Sequence, residues 1–284
     1  MLFTIDHETA YSYKERVRES YTVCHLQPLS DLTQYCTGFD LRIEPPAQIF
    51  VYRDRFGNEV HHFDYLANHD ALTISARSTV VTARASLPQA PVSVEREALI
   101  GDAILPQLYD FMHESVYIVF GPALRNLSTF LGEPGDDLAA YFIRAGEAIH
   151  ELFAYDRDAT GVHTIVDEAV ELRSGVCQDF AHVYVALCRL HGNPARYVSG
   201  YIHTRSGDDV LGAEASHAWC EAYLPPYGWV GFDPTNARLI DDDFVKIAVG
   251  RDYRDVSPVR GVYKGASQGL LSVNVAVEAL TTTQ

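Results

Sequence analysis

The sequence predicts an α+β protein: a small antiparallel β-sandwich, then helices, then a second antiparallel sheet. Three observations carry this. Apolar and polar residues alternate in short runs through roughly the first ninety residues, with turn residues between the runs. Apolar residues then recur at helical spacing in two later stretches, before alternation returns from about residue 196. Helices gathered ahead of a sheet, rather than interleaved with its strands, make the α+β pattern.

Taken in order, Phe3-Thr4-Ile5-Asp6-His7, Phe39-Asp40-Leu41-Arg42-Ile43 and Leu72-Thr73-Ile74-Ser75-Ala76 each alternate as half-buried strands. Asp54-Arg55-Phe56-Gly57-Asn58 lies between Ile49-Phe50-Val51-Tyr52 and Val60-His61-His62-Phe63, a hairpin with glycine near its tip. Short strands joined by such turns favour a sandwich. Two prolines in Leu87-Pro88-Gln89-Ala90-Pro91 break pairing and mark a linker, dividing the chain into a β-domain over 1–88 and a core over 89–284. Asp136 or Asp137 caps a helix running to about Tyr155, with Leu138, Phe142, Ala145, Ile149 and Leu152 on its apolar face. A second helix begins near Cys177, carries Phe180, Val183, Tyr184, Leu187 and Cys188 at helical spacing, and closes at Gly192 and Pro194. Strands are expected over 196–203, 217–224, 229–233 and 270–279.

Composition bounds the function. With 284 residues, 47% hydrophobic and 21% charged, the chain has globular composition and ample surface to bury. A formal charge of −16 repels nucleic acid and anionic membranes, so neither is expected as a partner. The N-terminus is acidic where a signal peptide is basic, and no apolar run approaches the ~20 residues that span a bilayer. The five cysteines, Cys24, Cys36, Cys177, Cys188 and Cys220, are odd in number and lack CxxC spacing, so neither a disulfide framework nor a zinc ribbon is suggested. A cytoplasmic setting is the expectation, with no cofactor and no metal.

Three segments concentrate the chemistry: Ser174-Gly175-Val176-Cys177-Gln178-Asp179-Phe180, Ser216-His217-Ala218-Trp219-Cys220-Glu221 and Gly231-Phe232-Asp233-Pro234-Thr235-Asn236. Cys177 follows a glycine turn and opens a helix, where free N–H groups and the helix dipole favour a thiolate and can steady an oxyanion. His217 opens a strand whose alternate residues Ala218, Cys220, Ala222 and Leu224 read as core, so the imidazole is expected on the opposite side, toward a cleft. Asp233 lies 16 residues on, across one hairpin and on the same face, where a carboxylate can orient the imidazole. Cys188 and Cys220 fall on apolar faces and read as packing. His182 is turned about 140° from the thiol along the helix, and the adjacent His61 and His62 point to opposite faces of a strand. Asp208-Asp209 and Asp241-Asp242-Asp243 lack the spaced ligands of a calcium loop and read as solvated loops.

These segments, with Ala195-Arg196-Tyr197-Val198-Ser199-Gly200-Tyr201, resemble the bacterial transglutaminase-like proteins, which are described as cysteine proteases within the papain-like superfamily. Tyr52-Arg53-Asp54-Arg55-Phe56-Gly57-Asn58 is similar to the β-domain that precedes the core in that family, and 249–261 fits its C-terminal portion. The resemblance covers nearly the whole chain. It implies a papain-like core with the nucleophile at a helix N-terminus packed on an antiparallel sheet. It also implies Cys177 as nucleophile, His217 as base, Asp233 as orienting acid, and a peptide or protein as substrate. Peptide or isopeptide hydrolysis, transamidation and a silent binding module are the readings left open. One feature departs from the animal transglutaminases, which use an upstream Trp in the oxyanion hole. Here the tryptophans are Trp219 and Trp229, both downstream of Cys177, and the second oxyanion donor is unassigned.

Overall fold

One long strand organises the N-terminal half. In the computed structural model, residues 1–84, 93–95, 106–205, 210–212, 216–265 and 269–280 are described; the linker at 87–91 and the pair Asp208-Asp209 lie outside them. Strand β1 (Leu2–Cys24) buries Phe3, Ile5, His7 and Thr9 by strict alternation. It is flanked over its first half by β5 (His69–Thr82) and by β14 (Gly269–Ala279), and over its second half by β4 (Glu59–Tyr65) and β13 (Val259–Lys264). Strand β2 (Gln34–Glu44) extends the sheet beyond β5, and β3 (Ile49–Arg53) beyond β4. The register slips between Ser12 and Val17 against β5 and between Arg18 and Tyr21 against β13, around Glu19 at φ 53°. Such bulges bend a strand. The sheet therefore curls, and Cys24, Leu26, Ile43, Phe63, Leu72 and Ile74 form an apolar cluster. The strand expected over 270–279 is β14, and it pairs with β1 rather than with the second sheet.

The hairpin at 54–58 forms as its sequence suggests, with Asp54 N–H donating to Asn58 O at 3.0 Å and Gly57 at φ 86°. Asn58 itself is buried and brackets Val249 through both its amide atoms, each at 2.8 Å.

The second half is a helical layer on a five-stranded antiparallel sheet. Helices α1 (Pro106–Tyr109), α2 (Pro122–Leu131), α3 (Leu138–Leu152), α4 (Val166–Leu172) and α5 (Cys177–Leu190) precede strands β8 (Ala195–Ile202), β9 (His217–Leu224), β10 (Gly228–Asp233), β11 (Arg238–Leu239) and β12 (Phe244–Gly250), in the sheet order β11-β10-β9-β8-β12. Between helices, β6 (Ala154–Tyr155) and β7 (Ser174–Gly175) form a short parallel pair, and α6 (Tyr253–Val256) follows β12. Asp137 caps α3 as expected, accepting from Ala139 N–H at 3.0 Å and Ala140 N–H at 3.2 Å. The helix ends at Leu152, however, and Tyr155 lies in β6, because Phe153 turns extended and its successors pair with β7. Helix α5 is the centre of the core, buried on every side from Gln178 to Arg189.

Two expectations change. The face of β9 bearing His217, Trp219 and Glu221 is not open along its length, since the N-terminal half covers it. Trp219 is fully buried among Val198, Ile202, Phe244 and Val249, against which Leu29 and Phe56 pack. Glu221, also buried, binds Arg196 Nε at 2.7 Å and Lys246 Nζ at 2.7 Å, and Lys246 reaches Asp31 at 2.9 Å. The run 241–243 is likewise not simply solvated. Asp242 accepts from Arg84 N–H at 2.6 Å, and Asp243, buried, meets His203 at 3.3 Å and Arg205 at 3.1 Å.

Candidate active site

The site begins at the β6–β7 pair. Tyr155 stands opposite Gly175, and Asp156 N–H donates to Gly175 O at 2.9 Å, which fixes the chain two residues before Cys177. Asp179 then folds back over that turn, its Oδ2 accepting from Val176 N–H at 2.9 Å and from Thr160 Oγ1 at 2.6 Å. A Cβ on Gly175 would sit 2.5 Å from this same oxygen, so only glycine fits beneath the clamp. Helix α5 therefore starts with Cys177 at its first position, where the backbone N–H has no intrahelical acceptor. Cys177 is partly exposed and its thiol is free. Cys24, Cys188 and Cys220 are buried, and burial pushes the thiol of the partly exposed Cys36 up.

His217 is the first residue of β9 and is 1% exposed. The hairpin register pairs Phe232 with Cys220, so Asp233 follows at the level of Trp219 and reaches diagonally to the imidazole. His217 Nε2 and Asp233 Oδ2 are 2.8 Å apart with both side chains inaccessible to solvent. Among the described residues Nδ1 has no hydrogen-bond partner other than the Cys177 thiol, toward which it lies. Burial alone would lower the imidazole's pKa, but the Asp233 carboxylate, by charge and hydrogen bond, and contact with Cys177 overturn this and raise it to about 10. Asp233 feels the converse: burial opposes its ionisation, and His217, Asn236 and the Thr235 N–H hold it below the usual carboxylate range. The structure thus brings together all three residues singled out in the sequence.

It also brings in residues to which no role had been given. Asn236 Nδ2 donates to Asp233 Oδ2 at 2.8 Å, while its Oδ1 accepts from Leu211 N–H at 2.9 Å and its Nδ2 reaches Leu211 O at 3.2 Å. This amide ties the segment around Leu211 to the buried carboxylate. Gly212, at φ 77°, lies so close that its Cβ would be 3.0 Å from His217 Nδ1 and 3.3 Å from the Tyr155 hydroxyl oxygen. An Asn three residues after an Asp in a turn is a readable signal; Tyr155 has none, since apolar spacing places it at a helix end.

The remaining histidines stay outside. His182 is buried and accepts from Tyr253 N–H at 3.1 Å, and burial lowers its pKa to about 4, so it is neutral. His61 packs on Phe39, and His62 pairs with Asp64 at 2.8 Å. Among the described residues no group of three His, Cys, Asp or Glu side chains is arranged to hold a metal, and no helix is long and apolar enough to cross a membrane.

A family model described as the transglutaminase-like superfamily matches residues 134–234, and one described as the bacterial transglutaminase-like N-terminal region matches residues 3–81. An uncharacterized protein of Mycobacterium tuberculosis is 33% identical over 97% of this chain and 92% of its own length. A protein-glutamine gamma-glutamyltransferase of Pseudomonas aeruginosa is 35% identical over 92 residues, 30% of this chain and 14% of that protein. Among solved structures, a "Putative Cysteine Protease" from Cytophaga hutchinsonii aligns over 100% of this chain and 92% of its own, with a TM-score of 0.76 at 23% identity.

Proposed function

The chain belongs to the transglutaminase-like superfamily, and from that premise we propose that it is a cysteine-dependent acyl-transfer enzyme that hydrolyses peptide or isopeptide amides through a thioester. The observation that carries the reading is a partly exposed cysteine at a helix start, faced by one nitrogen of an imidazole whose other nitrogen is 2.8 Å from a buried carboxylate. That is the nucleophile, base and orienting group of covalent acyl transfer.

In this reading His217 is imidazolium at neutral pH, and Cys177 reacts as the thiolate paired with it. The thiolate attacks the amide carbon, forming the C–S bond as the carbonyl π pair moves onto oxygen, where the Cys177 N–H donates to it. Collapse breaks the C–N bond, and His217 passes its proton to the departing amine. Water, deprotonated by the now neutral His217, then attacks the thioester carbon, and the C–S bond breaks to release the carboxylic acid and return the sulfur as thiolate beside the imidazolium. Asp233 holds the ring and favours its charged form throughout.

Transfer to an amine is the second reading, favoured by the local similarity to the glutamyltransferase. The two readings differ only in the acceptor. Water at ~55 M wins unless it is excluded and an amine is held in line. A reactive peptide amide incubated with and without millimolar primary amine, with products weighed by mass spectrometry, separates them. The acid should predominate, and predominance of the amine adduct would give the chain to the transamidases. A silent binding module would instead leave Cys177 no more reactive to iodoacetamide than an ordinary thiol.

A further inference from the structure

Attack on a carbonyl places a full negative charge on its oxygen, and one backbone N–H is rarely its only support. The Cys177 N–H is one donor, and neither tryptophan offers a second. Trp219 is fully buried in the sheet-face cluster, and Trp229 lies under Arg196, with the guanidinium 4.2 Å from its ring centroid, against Phe111 and Tyr223. A different aromatic side chain stands at the thiol.

Tyr155 is held there from three sides. Its backbone is registered against Gly175, two residues before the nucleophile. Its ring lies 6.4 Å from that of Phe180, one turn into α5. Its hydroxyl comes to the same small gap as His217 Nδ1: the position a Gly212 Cβ would take is 3.3 Å from the one and 3.0 Å from the other. A side chain at residue 212 would fill this gap, and glycine supplies none. Arg157 hydrogen-bonds the same hydroxyl, which leaves the phenolic O–H free to donate elsewhere. Partial burial and the nearness of Cys177 both disfavour the phenolate, so the hydroxyl keeps its proton and serves as a donor.

We infer that Tyr155 is the second oxyanion donor, its O–H and the Cys177 N–H together binding the carbonyl oxygen during formation and breakdown of the thioester. The inference rests on the acyl-transfer reading above. No proton leaves the tyrosine. The hydrogen bond strengthens as charge gathers on the oxygen and relaxes when the C=O bond reforms.

Two electrophiles test this on the full-length protein. p-Nitrophenyl acetate acylates a thiolate through a tetrahedral oxyanion and releases p-nitrophenolate. Iodoacetamide alkylates by displacement of iodide and forms no oxyanion. Tyr155→Phe keeps the ring and removes only the donor. It should slow Cys177 acylation by about 10²-fold, in the range found when one oxyanion donor is removed. Alkylation of Cys177, and its pH profile, should stay within about twofold, because thiolate supply is untouched. Acylation unchanged in Tyr155→Phe overturns the inference. So does a parallel loss of both rates, which would mark Tyr155 as a support for the thiolate or for the fold. Cys177→Ala separates the two levels. Acylation as fast in Cys177→Ala as in the parent sinks the acyl-transfer reading itself, whereas Cys177-dependent acylation that ignores Tyr155→Phe removes only the role given to Tyr155.

Discussion

His217 and Asp233 form a buried pair whose charge state sets two pH dependences. The imidazole is raised from its ordinary 6.5 to about 10, so the stability it contributes is fully present below pH 6.5 and is lost as pH rises toward 10. Asp233 is lowered from 3.8, so its contribution is present above that value and is lost as pH falls through its folded pKa. Removing the carboxylate charge with Asp233→Asn should therefore destabilise most between about pH 4 and 6.5, and progressively less toward pH 10. Urea unfolding of both proteins across that range measures it, and a difference that grows with alkalinity would contradict the assignment. Turnover should show the same logic. In the parent the alkaline limb should lie near pH 10, where His217 would lose the proton that the acyl-transfer reading has it give the leaving amine. In Asp233→Asn burial is opposed by the contact with Cys177 but no longer by the carboxylate charge, so that limb should move down and activity at pH 9 should fall by roughly 10²-fold or more. An alkaline limb that does not move would separate His217 from the rate. Asn236→Ala leaves the carboxylate but cuts its tie to Leu211, and should lower turnover while leaving this limb above pH 8, because the charge on Asp233 survives.

At the scale of elements, the nucleophile is placed by the junction of β7 and α5, and the junction depends on a missing side chain. Gly175→Ala would drive its Cβ to 2.5 Å from the Asp179 carboxylate that clamps Val176 N–H and Thr160. Losing a helix-capping interaction costs about 1 kcal/mol and steric displacement adds to it, so a loss of ~1–3 kcal/mol is expected. Slower alkylation of Cys177 should accompany it, as the first turn of α5 frays. Unchanged stability and alkylation would mean the clamp relaxes freely. This junction also shows what could be read in advance. Helix α5, its glycine turn and the 217–233 hairpin were legible because apolar period and turn residues agree within each segment. Tyr155 was not. Helical spacing in α3 runs on to Leu152 and nothing local marks the switch to an extended chain, since β6 exists only by pairing with β7, 20 residues later. Helix α2 escaped although Pro122 sits in its first turn, and the seven-residue α4 is too short for periodicity to declare itself.

For the whole molecule, the decisive contacts are those that neither half can make alone. Sequence periodicity shows that 270–279 is a strand but not which sheet it joins, because partner choice lies in the distant register with β1. With β13 and β14 paired to β1, the C-terminal strands complete the N-terminal sheet, while Leu29 and Phe56 of the N-terminal half pack on the far face of the second sheet. Polar groups cross the same boundary. Gln34 Nε2 donates to Lys246 O at 2.7 Å, Asn58 brackets Val249, and Lys246 Nζ, 4% exposed, is shared between Asp31 and Glu221. Lys246→Met should cost about 3 kcal/mol in urea unfolding, because it takes from Asp31 and the buried Glu221 the cation they share, leaving Glu221 paired with Arg196. A change below ~1 kcal/mol would place the pair at the level of an exposed ion pair. The larger consequence concerns the division at the linker. A fragment of residues 89–284 carries every proposed reacting group, yet it strips β13 and β14 of their shared partner and exposes Val198, Ile202, Phe244 and the buried Lys246–Glu221 pair to water. Unpaired edges and an uncovered apolar sheet face favour aggregation over folding. The fragment should therefore lack a cooperative urea transition, and its Cys177 should lack the selective reactivity expected of it in the full chain. Co-expression with residues 1–88 as a separate chain should restore both, since β1 would again seat the C-terminal strands. A fragment that unfolds cooperatively and alkylates at the parent rate would show that the core stands alone and that the N-terminal sheet serves some other purpose.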